Sequence, residues 1–462
     1  GARMYATFKP GNIQWGVAVD EIGAPGGAAM HARALLRAVT GNLDCPGGDM
    51  LAGPDPTMIT DVEMEANEYM PEEQWEKQIG SDRYKLCSWP GYSKIAAIAT
   101  KFWGKPPPAE WMCMAHAPSV FDAMITEKPY KPRALLVLAN NTLSAYPDTK
   151  KVYKALKEFE LLVVKDYWIT PTAMLADYIL PTADWLERPT ITNTYGCSDF
   201  SICSQRAIQP TYERKTDYQF WKGLADRLGQ SEFWPWETLE EAKYYRVYPL
   251  GHDVSSYDEY VEKVRFSFPP REYYKYGRIG FGTPSGLVEL YSQTLEELGY
   301  DPMPKYVGPA ENEDDDPELA KEFPLTLIAG SGVLPYYHSE HFNIKPLRYL
   351  HPQPRMQINP KTARELGIKN GDWSWVETQR GRIMQVAELT EKIHPRTIFV
   401  ERGWWFPERE AREPRLYDMW QSNCNVLTSG DPKYCDPMSG SWANRGLLCK
   451  VYKVEKEDLP HD

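Results

Sequence analysis

The segment from Arg133 to Pro189 constrains the fold most, because two apolar runs in it enclose a helical pattern. Residues 134–139 are continuously apolar, which is typical of a strand covered on both faces of a parallel sheet. Apolar residues recur at helical spacing between Val152 and Phe159, and a second apolar run, 161–164, ends at Asp166. This pattern predicts a βαβ unit whose loops meet a ligand at the carboxyl ends of the strands.

The turn after the first predicted strand is Asn140-Asn141, and it carries no G-x-G-x-x-G sequence. An ordinary nicotinamide dinucleotide site is therefore disfavoured. The side-chain amides of Asn140 and Asn141 can bind a pyrophosphate or simply cap the turn, and the residues alone favour the cap.

Composition excludes several classes of protein. A length of 462 residues, 42% hydrophobic and 25% charged, predicts two to four globular folding units. A net charge of −12 without a dense basic run disfavours a nucleic acid partner. No apolar stretch approaches the ~20 residues of a membrane helix. The eight cysteines form no C-x-x-C pair, and His338 and His341 lack a third ligand at suitable spacing, so no metal site is predicted.

The sequence after Phe323 changes to short strands and tight turns. A helix between them is well delimited, with Asn359 as N-cap, Pro360 at its first position and Gly367 at its end. Strands are expected at 325–329, 356–358, 373–378, 382–389, 397–401 and 447–454. The pattern indicates a small β-barrel.

Four ordered segments resemble the dimethyl sulfoxide reductase family of molybdopterin oxidoreductases. They are NIQWGVAVDEIGAPGGAAMHARALLRAVTGNLDCPGGD, the βαβ segment with TPTAMLADYILPTADWLERP, TPSGLVELYS, and INPKTARELGIKNGDWSWVETQRGRI. Any single match would be weak, but four in this order make chance improbable. Within the family the detail is most similar to the acetylene hydratase branch, as in ITEKPY, DWLERP and GYDPMPKY.

The resemblance implies a multidomain α/β fold, with doubly wound dinucleotide-cofactor domains followed by a C-terminal double-psi-like β-barrel. The cofactor it implies is molybdenum or tungsten on two molybdopterin guanine dinucleotides. The expected divisions are the end of an α/β cofactor domain (1–55), an irregular wrapping segment (56–115), an α/β cofactor domain (116–230), a connecting segment (231–320) and the barrel (321–462). The acidic run 311–316 is expected to be a solvated interdomain linker.

The resemblance also implies cofactor contacts in the predicted βαβ unit. Asp166 and Thr170 match positions that meet a guanosine, and a carboxylate can accept two guanine N–H bonds. Asn140 and Asn141 then become pyrophosphate contacts. Asp177 is expected to be structural, as a cap or a hydrogen-bond acceptor.

Further cofactor contacts are implied in the barrel. In the loop 329–343, His338 and Ser339 are the expected pterin contacts, although the family often places an arginine early in this loop, where this chain has Ser331-Gly332. Near the end of the chain, Asn423 and Asn425 resemble an asparagine that bonds a pterin. Arg445 is a phosphate contact or a surface ion pair.

Two tryptophans are candidates for the substrate pocket. Trp15 and Trp185 lie in segments where the hydratase branch has an apolar ring, and two indoles suit a small unsaturated or aromatic substrate. Trp15 packing on a pterin is a near-even alternative. Glu187 and Arg188 favour an ion pair over a catalytic dyad.

The resemblance places this chain in the C-terminal part of a catalytic subunit. The cysteines of a 4Fe-4S cluster, the metal ligand and the acid–base carboxylate are expected in an N-terminal part, so no catalytic residue is assigned here. The expected partners are a small-molecule substrate and an electron-transfer subunit, with no membrane span. A cytoplasmic location is favoured, and a periplasmic one stays open because an export signal would precede residue 1.

Three functions remain open. The first is addition of water to a small unsaturated substrate. The second is an oxidoreductase of the same family that acts on phenols, catechols or sulfur compounds. The third, of another class, is a cofactor-free scaffold subunit of an electron-transfer complex, which the substitution at Ser331-Gly332 favours.

Overall fold

The computed structural model describes residues 1–13, 22–51, 53–54, 56–193, 201–268 and 272–459. Its α-helices are α1 (Ala2–Thr7), α2 (Gly26–Val39), α3 (Pro56–Glu65), α4 (Glu72–Trp75), α5 (Trp89–Trp103), α6 (Ala117–Thr126), α7 (Thr142–Ala145), α8 (Thr149–Leu156), α9 (Asp217–Arg227), α10 (Leu239–Val247), α11 (Tyr257–Lys263), α12 (Tyr276–Ile279), α13 (Gln293–Glu297), α14 (Pro317–Glu322), α15 (Lys345–Leu350) and α16 (Pro360–Glu365). Its strands are β1 (Ala134–Leu138), β2 (Leu161–Asp166), β3 (Tyr178–Pro181), β4 (Thr190–Asn193), β5 (Ser201–Ser204), β6 (Phe266–Ser267), β7 (Leu325–Ser331), β8 (Arg355–Ile358), β9 (Trp373–Thr378), β10 (Gly381–Leu389), β11 (Thr397–Glu401) and β12 (Arg445–Lys453).

The chain forms two compact units, each built from separate stretches of sequence. The first unit comprises residues 1–15, 30–115 and 180–304, and the second comprises 16–29, 116–179 and 305–462. The domain boundaries expected from composition stay a prediction. None of the described helices is long and apolar enough to cross a membrane.

The first unit contains a small antiparallel sheet in the order β4-β5-β6. α10 and α11 pack together, and the core they share with β5 includes Cys203, Val247, Tyr257 and Tyr260, all nearly fully buried. Both helices begin at a hydroxyl cap, because Thr238 and Ser256 each accept a bond from a backbone N–H of the first turn. The buried rings of Tyr257 and Tyr260 thus form part of the core of this unit.

Lys243 on α10 is a cation in an unfavourable position. Burial, followed by the charges of Arg246 and Arg188, lowers the pKa of its amine to about 8. Arg246 is paired with Asp61 at 2.6 Å, whereas no described residue forms a hydrogen bond or ion pair with Lys243. At neutral pH the charged Lys243 amine therefore lowers the free energy of unfolding.

Replacing Lys243 with methionine is expected to stabilise the first unit by roughly 1–3 kcal/mol at pH 7. The gain should shrink as pH rises from 8 to about 10.5, because the folded wild type releases the proton before the unfolded chain does and so gains stability over that range. Urea unfolding followed by hydrogen exchange in α10 at both pH values tests this. Lys263→Met is the control, since that exposed amine pairs with Glu259. If the stability change depends on pH equally in both variants, the prediction is contradicted.

The second unit contains the predicted βαβ segment. β1 and β2 are parallel, with Ala134 opposite Leu161 and Leu138 opposite Lys165, and β3 is the third strand of the sheet. α8 connects β1 to β2 and packs against α6, and its apolar face is buried as the helical spacing predicted. Asp177 has a structural role, because its carboxylate accepts a bond from the Leu162 N–H at 2.7 Å.

The rest of the second unit is a closed six-stranded barrel. The strand order is β10-β8-β11-β7-β12-β9, and the pairs β7/β11 and β8/β10 are parallel. Each predicted strand after residue 323 is confirmed within a few residues, and α16 begins at its Asn359 cap. Apolar side chains from every strand fill the barrel. The predicted fold class, α/β followed by a β-barrel, is confirmed.

The acidic run that was expected to be a linker is not uniformly solvated. Glu313, Asp314 and Asp315 are exposed, but the Glu311 side chain is only 3% exposed. Its carboxylate accepts bonds from Gln379 Nε2 (2.8 Å), Arg380 Nη2 (2.6 Å) and the Leu448 N–H (2.8 Å). The linker interpretation is therefore wrong for Glu311, which joins the β9–β10 turn to β12.

Candidate functional site

A cavity of about 270 Å³ lies in the second unit, where barrel strands end beside α7. Gly330 reaches it from β7, Arg402 and Gly403 directly follow β11, and Asn444 directly precedes β12. Its lining residues are Ser144, Ala145, Gly330, His338, Ser339, Arg402, Gly403, Cys424, Asn425, Ser441, Trp442 and Asn444.

Three of the lining side chains have a buried polar atom without a hydrogen-bond partner in the described part of the chain. These atoms are Arg402 Nε, Trp442 Nε1 and Asn444 Oδ1. Buried polar groups are normally paired, and each one left unpaired costs about 1–3 kcal/mol. Two donors and one acceptor in one cavity therefore fit a ligand that offers both acceptors and donors, as a pterin with its phosphate does.

A buried hydrogen-bond network fixes the wall that carries Arg402 and Gly403. The Glu401 carboxylate, 6% exposed, accepts bonds from Trp404 Nε1 (2.9 Å) and His351 Nε2 (2.9 Å). The Gln385 side chain bonds both the backbone N–H and the backbone carbonyl of Glu401, at 3.1 and 3.0 Å. Both the side chain and the backbone of Glu401, the last residue of β11, are thus fixed by hydrogen bonds.

The loop after β7 is fastened to the same wall. Trp405 Nε1 donates to the Ser339 carbonyl at 2.9 Å. Gly403 has φ +70°, and a Cβ added there would lie 3.0 Å from the Ser339 Cβ, so glycine permits this close approach. Burial, and then the charge of Arg402, lower the pKa of His338. His338 therefore faces the cavity as a neutral imidazole that can donate or accept.

The predicted barrel contacts are brought together only in part. His338, Ser339 and Asn425 line the cavity, and Asn425 Nδ2 donates to the Ser144 carbonyl at 2.8 Å. Asn423 is fully buried outside the lining, where its side chain accepts a bond from the Asn425 N–H at 3.3 Å. Arg445 begins β12, next to the cavity but outside its lining.

In the βαβ segment, several predicted contacts serve the turn itself. Asn141 is buried, and its side chain accepts from Thr172 Oγ1 at 2.7 Å and donates to Ser144 Oγ at 3.1 Å. Asn140 accepts a bond from Thr142 Oγ1 at 3.1 Å, and Thr170 Oγ1 accepts one from the Ala173 N–H at 3.2 Å. Their pyrophosphate and guanosine roles stay predictions.

Asp166 has a different environment. It ends β2, its carboxylate accepts the Trp168 N–H at 3.2 Å, and burial raises its pKa. Burial also raises the pKa of Glu340. The charge of Asp166 raises this pKa further, whereas that of His341 lowers it. Both carboxylates are thus desolvated, and no sequence motif pointed to Glu340.

The substrate-pocket residues are only partly described. Trp15 lies outside the described residues. Trp185 begins the 3₁₀ helix Trp185–Glu187 and is 62% exposed within the first unit. Glu187 is buried and pairs with Arg214 at 2.5 Å, so its ion pair does not involve the neighbouring Arg188.

Sequence reasoning missed Arg402, Trp442 and Asn444. Arg402 and Asn444 are polar residues next to the ends of β11 and β12, and a polar residue at a strand end is the same signal that singled out Asp166. Among the described residues, no group of three or more His, Cys, Asp or Glu could hold a metal ion.

Comparison with known families matches two parts of the sequence. Residues 325–445 match the molydopterin dinucleotide binding domain, and residues 113–227 match the molybdopterin oxidoreductase model. These two segments carry domains of the molybdopterin oxidoreductase type. The resemblance drawn from the sequence motifs is confirmed, and the dinucleotide-binding match supports a molybdopterin dinucleotide as the bound group. Enzymatic activity is supported at the level of the family.

Individual relatives of this chain are named for different activities. An acetylene hydratase of Syntrophotalea acetylenica is 35% identical over 98% of this chain and 62% of its own length. A dopamine dehydroxylase of Eggerthella lenta is 29% identical over 98% of this chain and 49% of its own. A dimethyl sulfoxide/trimethylamine N-oxide reductase of Cereibacter sphaeroides is 27% identical over 69% and 43%.

One solved structure matches the whole described architecture. The acetylene hydratase from Pelobacter acetylenicus superimposes with a TM-score of 0.89 at 34% identity, covering 98% of this chain and 62% of that one. The present chain thus spans about 62% of the length of the hydratases it resembles.

Proposed function

We propose that this chain binds molybdopterin guanine dinucleotide in an enzyme that adds water to a small unsaturated substrate at a tungsten or molybdenum centre. The cavity with three unpartnered buried polar atoms carries the cofactor part of this proposal. Similarity to acetylene hydratases over 98% of the chain supports the reaction. When bound, the metal and its pterins would supply the chemistry at the substrate.

The residues of this chain would hold and orient that group. Trp442 Nε1 and Asn444 Oδ1 offer a fixed donor and a fixed acceptor, and Asn425 and Ser339 add polar atoms to the same lining. The neutral His338 imidazole can bond a pterin nitrogen or carbonyl without adding charge. Asp166 would accept the guanine N–H groups.

Cofactor content tests the binding proposal directly. The full-length protein from a metal-replete culture should release guanine nucleotide and fluorescent oxidised pterin on acid extraction, with tungsten or molybdenum in the same preparation. A preparation without pterin and guanine would reject the proposal and favour the scaffold subunit.

The alternative reaction is supported by the dopamine dehydroxylase, which also matches 98% of this chain. An oxidoreductase acting on phenols, catechols or sulfur compounds would need an electron-transfer partner, and a hydratase would not consume electrons. The indole rings of Trp15 and Trp185 would suit an apolar or an aromatic substrate and disfavour a sulfur oxyanion, which needs fixed positive charge. These side chains do not discriminate acetylene from a catechol.

Electron consumption decides between the two reactions. The intact enzyme is assayed with acetylene, catechols and thiosulfate in the presence of a reduced viologen dye. Acetaldehyde formed from acetylene without dye oxidation supports the hydratase. Dye oxidation in proportion to product from a catechol or thiosulfate rejects it.

Replacing Asp166 with alanine is expected to lower guanine nucleotide retention about 10- to 100-fold, because charge-assisted bonds contribute roughly 1.5–3 kcal/mol. Nucleotide and pterin per chain are measured after dialysis, with circular dichroism as the check on folding. Asp122→Ala is the matched control, since that exposed carboxylate pairs only with Lys151. Unchanged retention in Asp166→Ala would assign the residue to the turn alone.

A further inference from the structure

Arg402 is the charged side chain of the cavity. Its lining residues, all in the described part of the chain, include no aspartate or glutamate. No described residue forms an ion pair with Arg402, and its Nε is buried without a partner. The neighbouring Glu401 directs its carboxylate to His351 and Trp404 and forms no ion pair with Arg402.

The strand pairing places the Arg402 guanidinium next to Gly332. β7 and β11 are parallel, and Glu401 lies opposite Ser331 after a register shift. The residues that follow, Arg402 and Gly332, are therefore neighbours at the same end of the barrel. A Cβ added to Gly332 would lie 3.3 Å from Arg402 Nη2 and 3.7 Å from its Cζ.

We propose that Arg402 is the anion-binding residue of this cavity, that its ligand is a phosphate-class group, and that Gly332 is small to leave room for its guanidinium. This inference rests on the proposed cofactor site. The arginine expected early in the loop after β7 is then supplied by the neighbouring parallel strand, so Ser331-Gly332 no longer favours a cofactor-free scaffold.

The chemistry of the cavity favours an anion of this class. A guanidinium presents a planar set of donors that matches phosphate oxygens, and it stays charged at any physiological pH. Trp442 Nε1 adds a second unpartnered donor in the same cavity. A phosphate group would compensate the charge of Arg402, whereas a neutral ligand would leave it uncompensated.

The experiment measures guanine nucleotide and pterin per chain in the full-length enzyme after extended dialysis. Arg402→Gln should retain at least 10-fold less cofactor than wild type. Arg402→Lys should fall between them, because it keeps the charge and loses the planar donor set. Arg396→Gln is the matched control, since that barrel arginine is 62% exposed and pairs with Glu313.

Exchanging the residues at positions 332 and 402 distinguishes anion binding by the arginine from a purely structural role. Gly332→Arg alone should lower retention, because its side chain meets the Arg402 guanidinium. Combining Gly332→Arg with Arg402→Gly should restore retention to within a few-fold of wild type. Hydrogen exchange in β7 and β11 verifies folding, and if Arg402→Gln does not fold, the lysine variant and the exchange decide.

The outcomes separate this inference from the proposed function. If wild type holds the cofactor and Arg402→Gln holds as much, the inference is overturned and the proposed function stands. If wild type releases neither guanine nor pterin, the proposed function falls, and the inference falls with it. Retention that depends on Arg402 and returns in the exchanged variant supports both.

Discussion

Replacing Glu401 with alanine is expected to destabilise the barrel by about 3–5 kcal/mol, because two buried donors would each lose their acceptor at a cost of about 1–3 kcal/mol. His351, 7% exposed, would lose its acceptor, and so would the Trp404 indole N–H. The wall of the cavity should loosen as well, since Arg402 and Gly403 follow Glu401 directly. Faster hydrogen exchange in β11 and β8, together with a lower unfolding temperature, is the expected observation.

Two further variants make this result specific. Glu401→Gln keeps an acceptor for Trp404 and should cost less than the alanine variant. Glu388→Ala, on the same barrel, removes a 40% exposed carboxylate that lies 3.7 Å from Arg355 and should change stability by no more than about 1 kcal/mol. Similar losses for Glu401→Ala and Glu388→Ala would show that the buried network does not hold the wall.

Replacing Glu311 with alanine is the second substitution with a large expected effect, again about 3–5 kcal/mol. The Arg380 guanidinium, 15% exposed, would keep its charge without its partner, and the buried Leu448 N–H would lose its acceptor. Strands β9, β10 and β12 should therefore exchange hydrogen faster. Denaturant unfolding followed by hydrogen exchange measures both effects.

The same acidic run provides the control. Asp314→Ala removes an exposed carboxylate only three residues away and should shift stability by less than about 0.5 kcal/mol. If both variants behave alike, the run is a solvated linker after all, and the bonds of Glu311 contribute nothing measurable.

Local patterns explain what the sequence predicted correctly. The apolar runs 134–139 and 161–164 form β1 and β2, which enter the core through Val137, Leu162 and Val164. An apolar run predicts such a strand without knowledge of the residues that pack against it. The cap at Asn359 and the turns at glycines are likewise properties of a few consecutive residues. The six barrel strands and the βαβ segment were predictable for this reason.

Partners distant in sequence explain what was missed. In sequence, Glu311 does not differ from its acidic neighbours. Only the hydrogen bonds from Arg380 and the Leu448 N–H distinguish it. Arg402 and Gly332 come together through the register of β7 and β11, which no local pattern specifies. In the same way, the bond from Thr172 Oγ1 to the Asn141 side-chain oxygen joins residues 31 positions apart, which no local pattern predicts.

The strand order of the barrel has a consequence for biosynthesis. β7 is hydrogen-bonded on one side to β11 and on the other to β12, which are the last two strands of the barrel to be synthesised. At ~5–20 residues per second, the apolar β7 waits for several seconds or longer with both edges unpaired. Unpaired apolar edges promote aggregation. Nascent chains arrested before Arg445 should therefore bind chaperones strongly, and slower growth at low temperature should raise the yield of soluble protein.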